Sequence, residues 1–343
     1  VSDLERAPVP ASDTRPAPAA AAPRDRQVSP ETAQRLADAV SPNTQRAYAR
    51  QWRRFETWCA RQGRVPLPAT AETLTEYVAH LTRDDQTRPP APASVTQAVA
   101  VIRSRHTKAG YPGQPAGDAA YLLLRDYRRR RADAGHRVRK ATPITVDALR
   151  AMIATTDPGT LIGLRDRVLC VLGLALYGRR SELTALQLYD LVEVDHGLLV
   201  YIRTSKTDQA ARGVEVAIPY GTDPTTCPVR LVRAWRATLA EHGITTGPLL
   251  RSVDRHGNLG PSLSTDGLRR IVQGLARRAA LPYPETYSAH SLRAGGATSS
   301  AQAGAPVSAI AAHGRWSPSS TVVHNYVRAV DQWRDNPLRG VGL

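Results

Sequence analysis

The sequence predicts a mainly α-helical protein with a small β-sheet insertion (α+β), divided into two domains. Three observations predict it. Apolar residues recur at steps of three and four through about 41–131 and again through much of 142–343. Two short β-rich segments, 198–203 and 214–218, flank a polar turn holding Ser205, Lys206, Thr207 and Asp208. Between the helical stretches lies a basic run, with Arg128, Arg129, Arg130, Arg131, Arg137, Arg139 and Lys140 around Gly135. With 343 residues the chain can give each part its own core.

Residues 1–29 read as a disordered tail, because Pro8, Pro10, Pro16, Pro18 and Pro23 sit among alanines and charges with no apolar period. The first domain is expected over 30–131. Ser41-Pro42 has the form of an N-cap followed by proline at the first helical position. The helix it starts carries Tyr48, Trp52, Phe55 and Trp58 on one face, an apolar stripe expected to enter the core. Its other face carries Arg46, Arg50, Arg53 and Arg54, candidates for phosphate contact. Further helices are expected at 70–82, 92–109 and 117–131. The basic run reads as a helix end passing into a linker over 132–141, with Arg128, Arg131, Arg139 and Lys140 as candidate DNA contacts. In the second domain, 142–343, an apolar helix ends at Tyr177 and another begins there. Later helices are expected near 226–242, 265–280, 288–303, 306–312 and 318–329.

The composition points to a partner. The net charge is +16, which raises the surface potential and favours a polyanion, nucleic acid first among them. Of the 46 basic residues only Lys108, Lys140 and Lys206 are lysine; the rest are arginine. Together with abundant Ala, Pro and Gly, this is the composition of a GC-rich bacterial or phage genome. A lysine surviving against that bias is a candidate for proton donation, which a guanidinium performs badly. Cys59, Cys170 and Cys227 are widely spaced without a C-x-x-C pair, so neither a disulfide framework nor a zinc site is expected. No apolar run is long enough for a membrane span and no apolar segment of a secretory signal is visible, so a cytoplasmic protein is expected.

Four local patterns carry chemistry. Tyr177-Gly178-Arg179-Arg180-Ser181-Glu182-Leu183 joins two helices; Ser205-Lys206-Thr207 lies at the β-turn; His290-Ser291-Leu292-Arg293 opens a helix ahead of Gly295-Gly296; and Gly314-Arg315-Trp316-Ser317 precedes Asn325-Tyr326-Val327-Arg328. Singly, each has an ordinary structural explanation: a surface pair, a solvated turn lysine, a chance H-x-x-R step, a core tyrosine. In this order they make a set for phosphoryl transfer. Phosphodiester cleavage builds charge on the non-bridging oxygens, which two arginines can clamp. A tyrosine can attack if its proton has an acceptor, and a lysine can protonate the departing oxygen. An imidazole and an indole N–H can complete the contacts. No carboxylate cluster of the two-metal kind is present in the pattern, and no metal or nucleotide cofactor is expected.

On these residues the chain resembles the tyrosine recombinase/integrase family, most closely its Cre-like branch, from about Ser41 to Tyr326. The resemblance implies a two-domain DNA clamp in which 30–131 is the core-binding domain and 142–343 the catalytic domain. It implies that Arg179, Lys206, His290, Arg293, Trp316 and Tyr326 are catalytic, with Glu182 supporting Arg179. Tyr326 would form a 3′-phosphotyrosyl link and release a 5′ hydroxyl; Arg179, Arg293 and Trp316 would hold the phosphate, Lys206 would protonate the leaving oxygen, and His290 would assist proton transfer. The implied partner is double-stranded DNA with an inverted-repeat site, bound by a homodimer and synapsed as a homotetramer, in a bacterial nucleoid or on a phage or mobile element. Three departures stand out: Trp316 lies one residue farther from Tyr326 than usual, leaving His313 and His324 as competitors; Gly178 replaces a bulkier residue; and the sequence after Tyr326 is short. Two other readings remain at this point: a type IB topoisomerase or telomere resolvase, and a regulator using 305–326 as a helix-turn-helix. If phosphate contacts dominate, affinity for duplex DNA falls by orders of magnitude between about 50 and 200 mM salt; an affinity independent of salt contradicts the charge-based reading.

Overall fold

The computed structural model describes residues 28–137, 141–205, 212–317, 320–321, 323–324, 326, 336–338 and 341. The expected tail lies almost wholly outside these residues, as do Lys140, Arg139 and Lys206. The chain divides into two compact units, Val1–Val138 and Arg139–Leu343.

The first unit is helical: α1 (Pro30–Asp38), α2 (Pro42–Arg61), α3 (Ala71–Leu81), α4 (Pro92–Lys108) and α5 (Asp118–Asp133). Helix α2 starts where the sequence places it. The Thr44 N–H donates to the Ser41 hydroxyl at 3.3 Å, and a proline at the first helical position has no N–H to leave unpaired. Trp52, Phe55 and Trp58 enter the core, where Tyr77 of α3 packs against Phe55 and Trp58 with ring centroids 5.0 and 5.1 Å apart. Fully burying a large apolar side chain stabilises by about 1.5–3 kcal/mol, so this aromatic group is a main anchor of the unit. Tyr48 departs from the expected stripe. It is 38% exposed and shares a cavity with Gln45, Val101, Ser104, Arg105 and Lys108, a mixed lining at the surface rather than the core. His106 is fully buried: its Nδ1 donates to the Ile102 carbonyl at 2.7 Å while its Nε2 accepts from the Ala69 N–H at 2.8 Å, a pairing that requires the neutral ring.

The second unit contains α6 (Val146–Ala154), α7 (Leu161–Ala175), α8 (Arg180–Ala185), β1 (Leu191–Val194), β2 (Gly197–Ile202), β3 (Val214–Pro219), α9 (Pro228–Glu241), α10 (Thr265–Arg278), α11 (Ala289–Gln302) and α12 (Val307–His313). The strands form an antiparallel meander in the order β1-β2-β3, with Val200 opposite both Leu191 and Val216. Sequence reasoning anticipated β2 and β3 and passed over β1, whose side chains are all exposed after Leu191, so no alternation marks it. The helix expected near 318–329 falls mainly on residues outside the description; Val323, His324 and Tyr326 are helical.

Helix α7 is the buried axis of this unit. Leu169, Leu172 and Cys170 are inaccessible, and Trp235 of α9 is buried in the same cluster with its indole N–H donated to the Leu249 carbonyl at 2.7 Å. Helix α11 approaches so closely that it needs glycine. A Cβ on Gly295 would lie 1.8 Å from the Ile144 carbonyl oxygen, and one on Gly296 would lie 2.3 Å from the Tyr177 ring. These two glycines set the depth at which α11 presents His290 and Arg293 beside the turn at Tyr177.

Gly295→Ala is therefore expected to destabilise the protein by about 3 kcal/mol, because the obstacle is backbone rather than a flexible side chain. Gly274→Ala, in α10, meets only the end of Arg278 at 3.9 Å and is expected to gain up to about 1 kcal/mol from helix propensity. Denaturant melts of both variants check the contrast; equal effects contradict the packing described.

Candidate active site

The site begins with the sharp turn between α7 and α8. Tyr177 adopts a left-handed φ of 47°, and Gly178 follows with its Cα against Leu183, where a Cβ would lie 2.6 Å from a methyl group. That contact is the physical reason for the small residue before Arg179. Arg179 is the N-cap of α8. Its backbone N–H donates to Glu182 Oε2 at 2.9 Å, and its Nη1 donates to Glu182 Oε1 at 2.5 Å, so one carboxylate both caps the helix and holds the side chain. Nη1 also donates to Ser205 Oγ at 2.8 Å and Nη2 to the Arg315 carbonyl at 3.1 Å. Ser205, the residue before Lys206 in sequence, is thus bonded to Arg179; Lys206 itself lies outside the described residues.

Arg293 comes from α11 and is buried. Its Nη1 donates to the Tyr177 carbonyl at 2.7 Å, and its guanidinium carbon lies 3.7 Å from the centroid of a Trp316 ring. A desolvated stack of this kind contributes up to about 2 kcal/mol. Nη2 of Arg293 is buried without a hydrogen-bond partner among the described residues. A charged donor left in that condition is costly, and a phosphate oxygen is the type of acceptor that would relieve it.

Trp316 lies between Arg293 and Tyr326, with its ring centroid 5.7 Å from the phenol ring. Gly314 makes room for it, since a Cβ there would fall 1.8 Å from the indole. The Tyr326 hydroxyl is 3.1 Å from Nε2 of His290. His313, the nearer competitor for the Trp316 position, is turned to the interior, where its Nε2 donates to the Ala175 carbonyl at 2.7 Å and its ring packs on Tyr177 at 4.5 Å. His324 is exposed. The extra residue before Tyr326 is expected near Pro318, which lies outside the described residues.

The electrostatics favour a waiting phenol and a neutral acceptor. Burial, opposed by Arg293, raises the Tyr326 pKa above the ordinary phenol value, so the hydroxyl keeps its proton. Desolvation of the inner side of His290, then the charges of Arg293 and Arg179, lower its pKa, although the residue keeps solvent access. A neutral ring with its proton on Nδ1 can accept at Nε2. Burial and the neighbouring Arg179 and Arg315 pull Arg293 down to about 9, which still leaves it charged at neutral pH. Burial opposes ionisation of Glu182 but is outweighed by Arg315 and by the backbone and side chain of Arg179, so its pKa is lowered.

Of the residues expected from sequence, the structure brings Arg179, Glu182, His290, Arg293, Trp316 and Tyr326 into one set of contacts. Sequence reasoning missed Ser205 and Arg315 as partners of Arg179 and Glu182. The signal for Arg315 was its place between Gly314 and Trp316, and for Ser205 its place before Lys206 in the turn; neither showed the partner. The expected phosphate-contacting arginines separate. Arg50 and Arg53 join Arg54, Arg61 and Arg88 around a cavity of about 710 Å³ in the first unit. Arg46 bonds Asn43, Arg128 bonds Thr96, and Arg131 lies 5.9 Å from the Tyr127 ring centroid; none of the three lines that cavity. Among the described residues no group of three His, Cys, Asp or Glu is placed to hold a metal ion, and no helix is long and apolar enough to cross a membrane.

No protein-family model matches the chain. An integrase/recombinase, the XerD homologue of Selenomonas ruminantium, is 32% identical over 315 residues, covering 91% of this chain and 89% of the relative. The Cre recombinase of Escherichia phage P1 is 27% identical over 313 residues, 85% of this chain and 86% of Cre. Among solved structures, the Tn1549 transposon integrase in complex with circular-intermediate DNA superposes with a TM-score of 0.59 at 14% identity, covering 89% of this chain and 97% of that one. That likeness supports the mainly helical fold with its small antiparallel sheet.

The imidazole of His290 is expected to titrate below about 6.5, the ordinary histidine value, in an NMR pH series on the free protein. Because the neutral form is favoured on folding, its contribution to stability is present above that pH and is lost as pH falls. A midpoint above the ordinary value contradicts the neutral acceptor.

Proposed function

The chain belongs to the tyrosine recombinase/integrase family, and from that premise we propose that it cleaves and rejoins duplex DNA through Tyr326. The observation that carries the proposal is the 3.1 Å approach of the Tyr326 hydroxyl to His290 Nε2, beside Trp316 and the buried Arg293 guanidinium. The phenol oxygen attacks the scissile phosphorus while His290 takes up the phenolic proton. The new P–O bond is a 3′-phosphotyrosyl link, and the broken P–O bond releases a 5′ hydroxyl. Arg179 and Arg293 hold the non-bridging oxygens as charge develops on them, with Trp316 keeping Arg293 flat against its ring. Lys206 protonates the departing oxygen. Attack by the 5′ hydroxyl of a partner strand reverses the step, and since each step exchanges one phosphodiester for another, no nucleotide hydrolysis drives it.

The net charge of +16 and the five arginines around one cavity in the first unit support duplex DNA as the partner. By kinship, the site is an inverted repeat held by a dimer, two of which meet as a tetramer for strand exchange in the cytoplasm of a bacterial host. A DNA-binding regulator would leave the convergence of Arg179, His290, Arg293 and Tyr326 without a purpose.

A nicked duplex bearing the site that the protein selects from a random-sequence pool tests the reading. The wild-type chain is expected to form a covalent adduct, and Tyr326→Phe to bind equally while forming none; normal cleavage by that variant refutes the nucleophile. Lys206→Arg keeps the charge and is expected to slow cleavage on the order of 100-fold or more, the usual scale of lost general-acid help. Wild-type rates in Lys206→Arg place the proton donor elsewhere.

A further inference from the structure

Resting on that reading, we infer that Arg315 is a positioning residue for the cleavage step, bracing Glu182 and thereby fixing the direction of the Arg179 guanidinium. Arg315 follows α12 with φ 57°, in the left-handed region that L side chains seldom adopt and glycine adopts freely. Its side chain nevertheless runs inward and is buried. Nη2 donates to Glu182 Oε2 at 2.8 Å and to the Leu176 carbonyl at 3.1 Å, and Nη1 donates to the His313 carbonyl at 2.9 Å. The guanidinium therefore ties the end of α7, the end of α12 and the carboxylate of α8 together at one point.

Its backbone takes part as well, since the Arg315 carbonyl accepts from Arg179 Nη2 at 3.1 Å. Arg179 is held at Glu182 Oε1, at Ser205 Oγ and at this carbonyl. Two of those three supports, the carboxylate and the carbonyl, are placed by Arg315. Glu182 lies between two guanidiniums, with Oε1 taken by Arg179 and Oε2 shared between the Arg179 backbone N–H and Arg315, so it cannot swing with Arg179 when phosphate arrives. The planar fork is what reaches two elements and the carboxylate at once; a lysine ammonium in its place is a single point on a flexible stem. A left-handed backbone bearing a buried and engaged side chain fits a residue kept for what its side chain holds.

The charged groups around Glu182 are Arg179 from the start of α8, Arg315 from the turn after α12, and Arg293 from α11; Asp190 and Arg203, ion-paired to each other, line a separate cavity together with Glu182. Burial opposes ionisation of Glu182, and Arg315 is the foremost of the groups that overcome it. Without Arg315 the carboxyl takes a proton at higher pH, releases Arg179, and cleavage is lost earlier as the solution is acidified.

Full-length R315G and R315K are compared with wild type on the selected nicked duplex, with thermal melting, DNA affinity and single-turnover cleavage across pH as readouts. R315G fits the left-handed backbone without strain. It is expected to bind DNA within about threefold of wild type and to cleave on the order of 100-fold more slowly, the scale of a misdirected reacting group. Its acid limb moves to higher pH; R315K shows both effects to a smaller extent. A folded variant that cleaves at the wild-type rate, or cleaves slowly with its acid limb unmoved, overturns the inference. Should R315G fail to fold, R315K decides by the same criteria. A wild-type chain that forms no adduct removes the recombinase reading itself and this inference with it, an outcome distinct from wild-type cleavage that the variants share.

Discussion

Three guanidiniums are drawn to one place in this protein, and among the described residues one carboxylate, Glu182, bonds to them. Two like charges 4 Å apart repel by about 4 kcal/mol at an effective dielectric near 20, so such a gathering is unstable unless each charge is separately held. Glu182 serves two of them, with Arg179 on one oxygen and Arg315 on the other. Backbone carbonyls at Leu176, Tyr177, His313 and Arg315 take further donors, and the face of Trp316 covers Arg293. What remains is a surplus of positive charge with a buried donor, Arg293 Nη2, that no described residue accepts. The turn at Tyr177, the glycines of α11 and the left-handed Arg315 all serve to maintain this arrangement.

Burial and the same surplus together set the state of the groups around it. Burial, then the nearby cations Arg293 and Arg179, disfavour a second proton on the His290 ring, and burial holds the proton on Tyr326 against the pull of Arg293, so acceptor and donor face each other in complementary forms. On the proposed mechanism a bound phosphate brings negative charge to the guanidiniums, which makes it easier for His290 to become positive as it takes the phenolic proton. Substrate binding and nucleophile activation are then linked through one local potential, without a separate trigger.

Much of this was legible in the sequence because it rests on local rules. Ser41-Pro42 announces α2, and the steps of three between Trp52, Phe55 and Trp58 announce its buried face. The H-x-x-R step puts His290 and Arg293 on one side of α11. The parts that were not legible depend on contacts made far along the chain. Tyr48 continues the apolar period yet meets polar residues of α4; β1 has too few buried side chains to show alternation; and Arg315 looks like one more arginine among 43 until its guanidinium is seen on Glu182, 133 positions away. Lys206 was singled out by its rarity in an arginine-rich chain and by its turn between two β-rich segments; it lies outside the described residues, and its neighbour Ser205 bonds Arg179.

The central claim is that the cationic cluster is a seat for one DNA phosphorus attacked by the phenol beside it. Mapping the covalent product tests it most directly: the protein is trapped on nicked DNA, digested with nuclease and protease, and the nucleotide-bearing peptide is sequenced by mass spectrometry. A nucleotide joined through its 3′ phosphate to Tyr326 is the predicted result. A nucleotide on any other side chain, or joined through a 5′ phosphate, contradicts the account.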